Sequence, residues 1–270
     1  MHRPLLWIWA FVLLSCGEIP KKENRNDDQT AEDSPVSDTR YPQALEKVFQ
    51  VHGGLDTWKQ QRYLSYEIPK DSGVERHHIN LYSREDLVET DTYKMGYDGK
   101  DVWIWDPGQQ YKGDPVFYHN LMFYFYAMPF VLADPGIQYF EIEPLAFNGK
   151  EYPGIGIRYY DGVGTSPKDE YFLHYDPQSY EMAWLGYTVT YRTGVPSEDV
   201  HWIRYDDWIS VSGLRLPGSM TWYSAEDGLP VSERNTVKFQ EIVLSETPAD
   251  PSVFAMPEGG EKREPAKAGE

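Results

Sequence analysis

The sequence holds one cysteine, Cys16, in 270 residues. No disulfide can form within the chain, so its folded part rests on packing alone. Positive charge is scarce: 25 Lys and Arg stand against 43 Asp and Glu, a formal charge of −18. Such a surface repels nucleic acid and anionic headgroups, and no basic stripe offsets it. Long apolar runs are missing apart from Leu5 to Leu14, about ten residues where a membrane span needs roughly 20. Also missing are the G-x-S-x-G elbow, the H-E-x-x-H zinc helix, the phosphate loop and the dinucleotide glycine fingerprint. No internal repeat is present.

What is there begins with a leader. Met1-His2-Arg3 precedes the apolar run, and polar sequence starts at once after Cys16. Leu13-Leu14-Ser15-Cys16 resembles the bacterial lipobox, which implies a lipoprotein signal peptide over residues 1–15 and a lipid-carrying Cys16 at the mature amino terminus. Loss of Arg3 with that leader takes the charge to −19. Residues 16–40 are polar and charged, with almost no apolar side chain, and read as a disordered tether. Residues 41–257 suffice for one well-cored domain, and 258–270 read as a disordered tail. Gly17 after Cys16 is not an acidic retention signal, which points to the outer membrane facing the periplasm, with surface exposure as an alternative.

Within the domain, Leu45, Val48 and Phe49 have helical spacing, and His52-Gly53-Gly54 supplies a stop. Trp58 lies on a further short turn. Period two then takes over: Leu64, Tyr66 and Ile68 alternate, as do His77, Ile79 and Leu81. Tyr97-Asp98-Gly99-Lys100 is a tight turn before a strand from Val102 to Trp105. More strands are expected over 139–142, 154–160, 170–174, 182–192, 200–205, 208–211, 219–223 and 236–244. One segment breaks the rhythm. Asp114-Pro115 is a helix start, and the run from Val116 to Met128 is apolar around its whole axis, so a helix buried on nearly all sides is predicted, up to Pro129. An aromatic strand is the alternative reading.

Several motifs fall in a known order. Asp98-Gly99-Lys100-Asp101-Val102-Trp103-Ile104-Trp105-Asp106-Pro107, with Gln109-Gln110 after it, resembles the hairpin of the LolA and LolB lipoprotein-sorting proteins. Leu173-His174-Tyr175-Asp176-Pro177-Gln178 is similar to a later strand and turn of that superfamily. Pro251 to Pro257 resembles its closing signature, and the helix ending in His52-Gly53-Gly54 with Trp58 resembles a family of bacterial lipoproteins placed near it. The resemblance spans 41–257. It implies a mainly β (α+β) fold: a curved antiparallel sheet forming an incomplete barrel, with helices in its concave face and an apolar cavity that takes acyl chains. The strand arginine of the soluble carrier and the protruding apolar loop of the acceptor have no counterpart here.

Chemistry-bearing residues give little pattern. His77 and His78 are adjacent on a strand and point to opposite faces, so they do not suit one ion, and His119, His174 and His201 show no ligand spacing. No metal site and no cofactor are predicted. Glu198-Asp199 and Asp206-Asp207 read as solvated turns. Gly154-Ile155-Gly156 reads as a turn or bulge. The expected function is therefore non-catalytic: a lipid-anchored monomer that holds a lipid or other apolar ligand in a cavity of Phe117, Leu121, Met122, Phe125, Met128, Trp103 and Trp105. Two rivals stay open. One is an interaction lipoprotein whose cavity is filled by its own side chains and whose acidic outside docks an envelope partner. The other is a hydrolase or sugar-binding protein using an acid pair.

Overall fold

Leu45, Val48 and Phe49 form the buried stripe of the first helix, α1 (Gln43–Val51), in a computed structural model that describes residues 40–160, 168–191 and 193–264. Cys16 and the leader expected before it lie outside the described residues. Thr39–Glu270 is one compact unit with its own core. The stop after α1 works as expected. Gly53 has a left-handed φ of 104°, and a Cβ there would lie 2.3 Å from the Gly213 carbonyl, so only glycine fits. Helix α2 (Leu55–Gln60) follows, with Trp58 buried.

Two seven-stranded antiparallel sheets carry the rest. The first has the order β15-β1-β2-β3-β4-β5-β16, made of Gln240–Ser245, Tyr63–Lys70, Gly73–Asn80, Asp86–Glu89, Lys94–Tyr97, Val102–Trp105 and Glu261–Arg263. The second has the order β14-β13-β10-β9-β8-β7-β6, made of Leu229–Lys238, Ser219–Glu226, His201–Asp206, Met182–Tyr187, Glu170–Tyr175, Lys150–Tyr159 and Ile137–Phe147. A small hairpin, β11 (Ile209–Val211) with β12 (Leu214–Leu216), stands apart. The chain crosses from β14 to β15 at Phe239, which is buried. No pairing joins β5 or β16 to β6. The barrel is thus open along one side, as the motif order implied.

Alternation explains the two faces. Leu64, Tyr66 and Ile68 of β1 face the concavity beside Ile79 of β2, and Leu173, Leu185, Ile203 and Met220 face it from the second sheet. The segment from Pro115 fills this space, with one correction. It is not a single helix to Met128 but α3 (Pro115–Tyr118), α4 (Leu121–Tyr126) and a 3₁₀ turn, Phe130–Ala133. Asp114 caps α3 by accepting from the Val116 N–H. The break falls at Asn120, whose φ of −111° and ψ of −1° depart from helical values, and the residues before it are held to the first sheet: Tyr118 donates to Glu75 at 2.7 Å and His119 meets Asp86 at 2.7 Å.

Other boundaries shift for local reasons. The strand expected over 236–244 divides at Phe239, and the one over 182–192 ends at Tyr187. Gly154 and Gly156 are not in a turn, but Gly154 pairs with Ile142 where the register of β6 against β7 shifts, as a bulge does. They sit within β7, where rings of His174 and Phe140 lie across them at distances that leave no room for a Cβ. In the polar end, Glu261–Arg263 pairs with β5, and Lys262 bonds Asp101 at 2.5 Å.

Candidate functional site

The residues expected to line one cavity divide into two groups. Met122, Phe125 and Met128 are buried in the main core, where the Phe125 ring lies 4.9 Å from Tyr187 and 5.9 Å from Trp222. Leu121 is half-buried against the same core, and Phe117 packs on Tyr191 at 5.0 Å. Trp103 and Trp105 are elsewhere. They share strand parity on the convex face, where Trp103 joins Leu87 and Phe254 and donates through Nε1 to the Phe254 carbonyl at 3.1 Å. Ile104 is the β5 residue that faces inward, with Val88 and Met95. The interior beside α4 is filled by its own side chains: Tyr126, Ala127, Met128, Phe130, Val131 and Leu132 are all buried.

Open space lies at the edge of this plug. A cleft of about 370 Å³ runs between α2, the turn after β2 and the 3₁₀ turn. Leu55, Trp58, Leu81, Phe130 and Ala133 give it an apolar lining, with the Trp58 and Phe130 rings stacked at 4.8 Å and 9°. Lys59, Gln61, Arg62, Tyr82, Arg84 and Asp134 complete the wall. The turn is built by Asn80, whose Oδ1 accepts from the Tyr82 and Ser83 N–H groups at 3.0 and 3.1 Å. That places Arg84 at a left-handed φ of 64°. Its Nη2 reaches both Asp134 oxygens at 2.8 and 2.7 Å, and its guanidinium stands over Phe123 at 5.1 Å. Burial raises the Asp134 carboxyl, and Arg84 only partly opposes it. Arg62 Nη1 donates to the carbonyls of Lys59, Gln60 and Gln61, closing the end of α2, and its guanidinium lies 4.8 Å from the Tyr82 ring.

Beyond Arg84, a second cleft of about 380 Å³ opens between α3 and the β4–β5 turn. Tyr97, Lys100, Asp101, Val116, His119, Asn120 and Arg263 stand in its wall. Behind it are two buried acid–imidazole pairs. His119 Nδ1 meets Asp86 Oδ2, and His77 Nε2 meets Glu75 Oε1 at 2.9 Å. Burial raises the Asp86 carboxyl. It works the same way on Glu75, but hydrogen bonds from His77 and Tyr118 and the charge of Lys70 hold that carboxyl below its usual range. Neither histidine has a hydroxyl, thiol or amine nucleophile hydrogen-bonded to it among the described residues. The pairs tie the α3–α4 break to β2 and β3.

The remaining sequence candidates are dispersed. His78 faces away from His77, toward Tyr63 at 2.7 Å. Asp206 lies beside Arg204 at 3.2 Å, Asp207 accepts from Ser219, and Glu198 and Asp199 border an outer loop. No group of three or more metal-ligating side chains gathers among the described residues. Arg84, Lys59, Arg62, Asp86 and Phe130 were not singled out from sequence. Only the Pro129-Phe130 end of the aromatic run carried a signal there.

The model of the family of unknown function DUF6503 matches residues 57–200, more than half of the chain. The chain belongs to that family. The match takes in every residue of the first cleft except Leu55. No curated protein matches this DUF6503 chain. Among solved structures it is similar to a LolA superfamily protein from Nitrosomonas europaea, at 11% identity and a TM-score of 0.43, covering 78% of this chain and 96% of that one. It is also similar to a DUF1329 family protein from Desulfovibrio piger, at 9% and 0.46, covering 78% and 97%. A third is a putative outer membrane lipoprotein-sorting protein domain from Vibrio parahaemolyticus, at 9% and 0.40, covering 78% and 97%. These are likenesses of fold outline, and what those proteins bind is no finding about this DUF6503 member.

Proposed function

We propose that this protein is a membrane-anchored envelope lipoprotein that binds an amphipathic ligand, an acyl chain with an anionic head, and performs no chemical step on it. The carrying observation is the first cleft: a stacked Trp58–Phe130 floor under Lys59 and Arg62, neither of which has a carboxylate partner among the described residues, in a chain of charge −18. The chain would lie on the rings, gaining about 25 cal/mol per Å² of apolar surface removed from water before the entropy cost of association. The head would sit against the two cations. Cys16 supplies the membrane anchor, at the outer membrane facing the periplasm.

The site thus moves from the interior of the half-barrel to its edge. The filled interior favours the rival reading, an interaction lipoprotein with no ligand, and one titration separates them. A fluorescent fatty acid is added to lipid-free Thr39–Glu270 and to Leu55→Glu, which sets a carboxylate in the apolar lining. Saturable 1:1 uptake, weakened at least tenfold by the substitution, supports ligand binding. No uptake by the parent protein favours the interaction reading.

A further inference from the structure

We propose that the end of the molecule around the first cleft docks on an anionic lipid bilayer, with the Tyr82 ring at the headgroup level and Lys59, Arg62 and Arg40 against the phosphates. This goes beyond the ligand reading: it shares Lys59, Arg62 and Tyr82 with the cleft wall and adds Arg40 and a bilayer as the occupant.

Tyr82 is 78% exposed, more than any other large apolar side chain among the described residues. A tyrosine ring with an apolar body and polar tip is suited to the boundary between headgroups and acyl chains. Its face carries the Arg62 guanidinium, so an aromatic anchor and a cation are presented together. Lys59 is exposed on the neighbouring helix end and makes no ion pair among the described residues. Acids stand nearby as well: Asp134 is held by Arg84, Glu85 keeps its charge while bonded by Asn80 and Ser83, Asp56 lies on the first turn of α2, and Glu246 follows Ser245, whose carbonyl accepts from the Arg62 N–H.

The chain also enters the fold at this end. Tyr41 donates to the carbonyl of Ala133, a cleft residue, at 3.4 Å, and exposed Arg40 stands 5.5 Å from the Tyr41 ring. The overall charge of −18 speaks against an anionic surface only at first sight. At physiological salt the Debye length is about 8 Å, so charges within that distance of the bilayer decide the interaction and the rest are screened. At this rim Lys59, Arg62 and Arg40 are the cations without a carboxylate partner among the described residues, and Asp56 and Glu85 are acids without a cation partner there. The acidic remainder then turns the molecule, directing this end at the membrane.

The test is flotation of lipid-free Thr39–Glu270 with vesicles of phosphatidylethanolamine and phosphatidylglycerol, and with vesicles of phosphatidylcholine alone. The protein is expected to float with the anionic vesicles only and to be released by salt. Lys59→Glu combined with Tyr82→Ser should lower its partition at least tenfold, since each cation near such a surface is worth about a fivefold change. Lys238→Glu makes the same charge change on β14, away from either cleft, and should leave partition intact. No flotation, equal flotation on neutral vesicles, or an equal loss with Lys238→Glu would overturn docking. Fatty-acid uptake by the parent protein without vesicles is read in parallel, so a protein that takes up chain but does not float loses this inference alone.

Discussion

Lowering the pH from 7 to 5 should destabilise the fold by about 4 kcal/mol through two buried histidines. His52 is fully buried at the end of α1. Its Nδ1 donates to the Val48 carbonyl at 2.8 Å, its Nε2 has no partner among the described residues, and its ring packs on Trp208 at 4.4 Å. Burial lowers its pKa to about 4, against a hydrogen bond that raises it, with Arg215 adding to the depression. His174 is lowered to about 4 by the same burial, and its Nδ1 donates to the Tyr152 carbonyl at 3.0 Å. Both are neutral in the native state at pH 5, whereas the unfolded chain, with a pKa near 6.5, has taken up the protons. Stability therefore falls as pH drops from about 6.5 toward 4, by about 2 kcal/mol per histidine at pH 5. The raised carboxyls of Asp86, Asp134 and Asp169 have the opposite sign, because the native state protonates them first. The histidine share is isolated by His52→Asn with His174→Asn, where the amide keeps the donor to each carbonyl. Urea midpoints at pH 7 and 5 should fall by about 1 M more in the parent than in the double variant, for a urea slope near 3 kcal/mol/M. Equal shifts in the two proteins would refute the assignment of neutral buried imidazoles.

Phe254→Ala should cost about 3 to 5 kcal/mol, because the ring is fully buried under Trp103 and its removal leaves a cavity; equilibrium denaturation followed by tryptophan fluorescence checks this. Gly96→Ala should fail to give soluble protein, since the added Cβ would lie 2.1 Å from the Asp86 carbonyl in the adjoining strand, and recovery of well-folded protein would contradict the β3–β4 register. Asp134→Asn should strengthen fatty-acid uptake several-fold by freeing the Arg84 charge at the cleft, read by the same titration as for Leu55→Glu.

Period two exposed most of the sheet in advance. Leu64, Tyr66, Ile68, His77 and Ile79 show which residues share a face, and the Asp98-Gly99 turn fixes where β5 begins. Which face is concave is a different matter. Trp103 and Ile104 are both apolar, so alternation assigns them to opposite sides without saying that the C-terminal segment around Phe254 covers the first. The broken α3–α4 unit was hidden for a similar reason. The side chains just before the break bond Glu75 and Asp86, 43 and 33 residues away in the chain, and no local propensity encodes those partners. The cleft was least legible of all. Lys59, Arg62 and Arg84 read as ordinary surface cations until the fold brings them around Trp58 and Phe130.

Ligand binding in that cleft is tested most directly by photolabelling. A fatty acid with a photoreactive group near its methyl end is bound to Thr39–Glu270, illuminated, and the labelled peptides are identified by mass spectrometry. Label confined to 55–62, 81–84 and 130–134 is the expected result. Label on the convex face around Trp103, or none above the level displaced by excess unlabelled fatty acid, would contradict it.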